Sequence, residues 1–109
     1  MKKTTPKVPP GLSAAAAAWW RKLLIEYEIA DAAGLLLLET ALQAFDRMHE
    51  ARALIVKHGS VTIDRFGQLR ANPASTVERD SRSAMLSALK ALNLDLEPLR
   101  DAAGRPPGR

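Results

Sequence analysis

His49 and His58 are the side chains of this sequence best suited to proton transfer or metal binding near neutral pH. They stand nine residues apart, with Asp46 and Glu50 close to the first. That arrangement lacks the paired-histidine spacing of a helical zinc site. His49 reads instead as an interface or half-buried histidine, and His58 as a favourable cation at a helix C-terminus. Ser81, Ser83 and Ser87 have no histidine near them in the sequence and read as small or polar packing positions. With no cysteine, a thiolate zinc site and a disulfide framework are both excluded. No glycine-rich phosphate loop of the Walker type occurs, so any ATP-driven process involving this chain must use another protein's ATPase site. The expectation is a non-catalytic protein without cofactor or metal.

Charge offers a different chemistry. The formal net charge is +4 over 109 residues. Between Leu12 and Leu96 ten basic residues meet ten acids. Outside that span Lys2, Lys3, Lys7, Arg100, Arg105 and Arg109 face only Glu97 and Asp101, which accounts for the whole excess. Proline and glycine are concentrated in the same stretches, so residues 1–11 and 97–109 read as flexible basic arms on a neutral body, 12–96. Arms of this kind suit a polyanion, and the six basic residues are the candidate DNA contacts; the alternative is that they only keep the protein soluble. No apolar stretch follows the N-terminal lysines, and Ala14 to Ala18 is too short for a signal or a membrane span. A soluble, cytoplasmic protein with no membrane partner is expected.

The body must position these arms. At 47% hydrophobic it suits one small domain whose stability comes from packing or oligomerisation. Ser13 follows Pro9, Pro10 and Gly11 and caps a helix running to about Tyr27. Trp19, Leu23 and Tyr27 form one row on it, and Trp20 with Leu24 an adjacent row. Neighbouring tryptophans point about 100° apart. One of them, Trp20 in this reading, is expected to meet another chain; the alternative is that both pack on different sides of a helical hairpin. Asp31 caps a long second helix that Gly59 ends. Gly34, Leu37, Ala41, Ala44, Met48, Ala51 and Ile55 make a coiled-coil-like seam along it, with Leu35, Leu38, Leu42 and Phe45 beside. Trp20 together with Leu37, Ala41, Ala44, Met48, Ala51 and Ile55 forms the expected oligomer interface; a core-facing stripe in a monomeric bundle is the alternative. Val61, Ile63 and Leu69 around Asp64–Gly67 predict a small β-hairpin near 60–71, which must lean on a helix or extend a neighbour's sheet. Arg65 and Arg70 lie on or beside its turn. Asn72-Pro73 opens a third helix that Asn93 closes. The charges Glu78, Arg79, Asp80 and Arg82 read as a solvated face or an inter-subunit set. The fold class is all-α with a small β-hairpin.

Pro9-x-x-Leu12-Ser13 before a helix containing Trp19, Tyr27-x-Ile29, a long helix closing at Gly59, Asp64-x-x-Gly67, Asn72-Pro73 and Leu92-x-Leu94 follow one another along nearly the whole body. This succession resembles the phage terminase small subunit family. Asn93 stands where that family's pattern has glycine. The resemblance implies a ring-forming homo-oligomer that binds double-stranded viral DNA and recruits the large terminase subunit, the ATPase and nuclease of genome packaging. It also implies a place in the host cell cytoplasm during phage assembly. Many small terminases use a helix-turn-helix, and no such unit is evident in this sequence. A purely protein-binding scaffold and a small DNA-binding regulator are the competing readings.

Overall fold

The computed structural model describes residues 6–94. Three helices carry the chain, α1 (Ala14–Tyr27), α2 (Ala32–His58) and α3 (Pro73–Ala91), with strands β1 (Val61–Ile63) and β2 (Leu69–Ala71) between the last two. Each helix starts at a side chain that accepts from a free first-turn amide. Ser13 Oγ accepts from Ala16 N at 3.0 Å, Asp31 Oδ2 from Gly34 N at 2.9 Å, and Asn72 Oδ1 from Ala74 N at 3.0 Å. Asp46 on α2 accepts from both the amide and the hydroxyl of Ser13, which ties the start of α1 to the middle of α2. Helix α1 ends as Glu28 takes φ 51°, a left-handed conformation without glycine. Asn93 likewise closes α3 at φ 58°.

The main core lies where α1 crosses the first half of α2. Ala16, Trp20 and Leu24 meet Ile29, Leu38 and Leu42, and Val8, Leu12, Leu92 and Leu94 pack around them. Trp20 is 3% exposed and its indole Nε1 faces the carbonyl of Pro6 at 3.5 Å; Trp19 is 44% exposed. The row Ala16-Trp20-Leu24 thus points inward, and the row of Trp19 runs along the edge.

Helices α2 and α3 run antiparallel on either side of the hairpin. Leu37 shares a cleft with Ala91 and Leu92, Ala44 with Ser81 and Ala84, and Arg52 reaches Glu78 at 3.0 Å. Small residues along α2 let α3 approach closely. Gly34 serves another purpose: a Cβ there would lie 2.8 Å from Asp31 Oδ1 and 3.0 Å from Ile29 Cγ2, inside the capping turn. Glu78 lies between Arg52 and Arg82, both at 3.0 Å, so this part of the charge cluster joins α2 and α3 within one chain. With guanidinium groups nearly half exposed, the bridges contribute little.

Asn72 is buried and bonded on three sides. Its side-chain carbonyl caps α3, its Nδ2 donates to Gly59 O at 2.8 Å, and its backbone N–H donates to Ser60 O at 2.8 Å. The end of α2 and the start of α3 are closed by this one residue. Beyond it projects the hairpin, in the register Val61↔Ala71, Thr62↔Arg70, Ile63↔Leu69. Its turn is organised by Asp64, whose carboxylate accepts from Phe66 N at 2.8 Å, Gln68 N at 3.0 Å and Arg70 Nε at 3.0 Å. Gly67 adopts φ 78°. The amide of Gln68, then the Arg70 guanidinium and the amide of Phe66, hold the Asp64 carboxyl below the ordinary carboxylate range, against the opposing effect of burial.

Three outcomes follow from this packing. Trp20→Ala should lower stability by about 3–5 kcal/mol and Trp19→Ala by about 1 kcal/mol or less, measured by chemical denaturation at low protein concentration. Replacing Asn72 with alanine removes a cap and leaves Gly59 O unpaired, for a loss of about 2–3 kcal/mol; an effect indistinguishable from a surface substitution would contradict its role as a clamp. A lowered carboxyl stabilises the hairpin fully above its unfolded-state pKa, and that contribution disappears as pH falls through the lowered folded value. Amide shifts of Phe66 and Gln68 should therefore move only in strongly acid solution, and Asp64→Ala should abolish that transition.

Candidate functional site

Of the six basic residues assigned to DNA, Lys7 is described and exposed, next to the Pro6 carbonyl that meets Trp20. Lys2, Lys3, Arg100, Arg105 and Arg109 lie outside the described residues. On the body, four arginines are engaged by acids: Arg52 and Arg82 by Glu78, Arg70 by Asp64, and Arg79 by Asp80 at 3.5 Å. Lys22 lies 5.1 Å from the ring centre of Trp19, and Arg65 stands 5.2 Å from that of Phe66. Much of the body's positive charge is thus already committed. The lowered pKa of Asp64 keeps it ionised opposite Arg70, which leaves Arg65 as the hairpin's arginine without an acid partner among the described residues.

A four-residue connection, Glu28 to Asp31, joins α1 to α2, a length compatible with a helix-turn-helix. Its chemistry is wrong for reading DNA. The first turns of α2 present Ala32, Ala33 and Leu36, with no side-chain donor for a base edge or a phosphate, and the acids Glu28 and Asp31 precede them.

The residues expected at a subunit interface are largely covered inside the single chain. Trp20, Ala41, Ala44, Met48 and Ala51 are buried, and Leu37 and Ile55 are partly buried. Among the described residues, two open apolar surfaces stand out instead. One is a groove of about 280 Å³ where α1, α2 and α3 meet, with Trp19, Leu23, Phe45, Met48, Met85 and Leu89 in its walls. The other is the hairpin. Val61, Ile63, Leu69 and Ala71 share one face by their register, and they lean on no helix: Val61 is 51% exposed, Ile63 68% and Leu69 73%. Phe66, near the tip, is 73% exposed. The row containing Trp19 and Leu23 and the alternation around Asp64–Gly67 were visible in the sequence. Nothing in either pattern says which of two adjacent tryptophans faces inward, or that the hairpin stands away from the helices.

Among the described residues no group of three or more histidine, cysteine or acidic side chains is placed to hold a metal ion, and no helix is long and apolar enough to cross a membrane. His49 packs edge-on against Phe45 with ring centres 4.4 Å apart, and His58 occupies the last turn of α2, where a cation is favoured.

No curated protein and no solved structure matches the chain. The sequence profile of one family, described as phage terminase, small subunit, matches residues 15–98, which takes in α1 from its second residue, α2, the hairpin and α3. The match covers most of the chain, and the protein belongs to the phage terminase small subunit family.

Proposed function

We propose that this small terminase subunit is a non-catalytic adaptor that works in several copies, binds double-stranded viral DNA and recruits the large terminase ATPase-nuclease for genome packaging in the host cytoplasm. The family match over residues 15–98 carries the reading. Charge distribution supports the DNA part: the entire net excess resides in Lys2, Lys3, Lys7, Arg100, Arg105 and Arg109 against Glu97 and Asp101. A single arm reaches only a few phosphates. Arms repeated around one ring act on one duplex, so the second and later arms bind in an effectively intramolecular step. Modest affinity per chain is then sufficient. Oligomerisation through Trp20 and the α2 seam is the sequence's own expectation, but those side chains are occupied within the chain, so open apolar surfaces are better placed for it.

Deleting Met1 to Lys7 tests the assignment. Affinity for double-stranded DNA should fall, and the slope of log K against log salt should flatten by about one for each phosphate that is no longer neutralised. Unchanged binding would move the DNA surface to the body. Failure of the full-length protein to bind DNA at all would leave a protein-binding scaffold in place of a DNA adaptor.

A further inference from the structure

The groove and the hairpin cannot serve each other within one molecule. Phe45, in the groove, and His58, where the hairpin begins, are separated along a continuous helix by about 20 Å. The clamp at Asn72 ties the hairpin to the end of α2 remote from the groove. A two-stranded hairpin is marginal alone and needs a surface to lean on. The groove holds about 280 Å³, at the small end of ligand pockets, which admits inserted side chains and not a whole helix.

We infer that the hairpin of one copy inserts its Ile63, Phe66 and Leu69 side chains into the Trp19–Leu23–Phe45–Met85–Leu89 groove of a second copy. The inference rests on the multi-copy reading above and supplies its interface. Area supports a second copy as the occupant. Val61, Ile63, Phe66 and Leu69 are each 51–73% exposed. At roughly 100 Å² apiece they offer about 400 Å² of apolar surface. One partner of a stable interface contributes about 800 Å², of which a little over half is apolar, so the match is close. Because hairpin and groove are different surfaces, the contact is head-to-tail: each copy offers a hairpin to one neighbour and a groove to the other. Such contacts repeat until the rotation closes a ring. The hairpins then become structural rivets between subunits, and the arms are left outside the contact.

The test uses the full chain, without DNA, in light scattering over a range of concentrations. Wild type should form a multimer. The variant Ile63→Asp/Phe66→Asp, altered only at exposed positions, and the groove variant Trp19→Glu should each fall to the 11.9 kDa monomer with helical circular dichroism retained. Mixed together they should form a complex of twice that mass and stop, since one sound hairpin meets one sound groove. Should Trp19→Glu fail to fold, Phe66→Cys with Trp19→Cys in this cysteine-free chain should yield a ladder of disulfide-linked multimers under mild oxidation. A wild-type multimer whose mass the hairpin variant does not change, with no ladder, overturns this interface and leaves the multi-copy reading standing. A wild-type monomer at every concentration overturns both.

Discussion

The side chain and backbone of Asn72 hold together the two longest elements of this protein. A 27-residue helix and a 19-residue helix can lie antiparallel along most of their length only if their connected ends are fixed, because a small angular error at the connection displaces the far ends by many ångströms. Asn72 fixes them by satisfying the first turn of α3 and the last carbonyl after α2 with the two ends of one amide. An ionised aspartate could not do both, since it has no hydrogen to donate to Gly59, and serine has only one oxygen where asparagine offers a separate donor and acceptor. Proline at the next position reinforces the arrangement, its missing N–H falling where a helix start leaves an amide unpaired.

Once α2 and α3 are paired, the small-residue seam of α2 is consumed inside the subunit. That single circumstance redistributes the apolar surface. Ala41, Ala44, Met48 and Ala51 stabilise the monomer, and Trp20 fills the junction of α1 with α2. The surface left for partners comes from residues at the edges of these contacts: Trp19 beside Trp20, Met85 and Leu89 at the rim of α3, and the hairpin that the connection pushes outward. The residues that hold the fold are thus distinct from the apolar side chains that stay exposed.

Electrostatics follow the same separation. The body's cations are partly neutralised by Glu78, Asp64 and Asp80 or placed against the aromatic rings of Trp19 and Phe66, so it exerts little long-range pull on a polyanion. The net positive charge sits in the flanking segments. On the proposed function, assembly through apolar contact would respond weakly to salt and DNA attraction through charge steeply.

Helix boundaries were legible in the sequence because local chemistry sets them. Ser13, Asp31 and Asn72 accept from amides within three residues, and Gly59, Gly67 and Asn93 take positive φ wherever the rest of the chain goes. The hairpin's place and the family likeness were readable for the same reason, being patterns along the chain. Glu28 was not, since a glutamate in the left-handed region carries no sign of it in its type. Nor were the partners of the faces. Periodicity says that Trp19 and Trp20 point in different directions and that α2 has a seam, but not what each direction meets. Only the tertiary packing decided these: the approach of α3, fixed by a clamp that bonds Asn72 to Gly59 and Ser60, makes the seam interior, the crossing of α1 over α2 makes Trp20 core, and the hairpin and the groove beside Trp19 remain open.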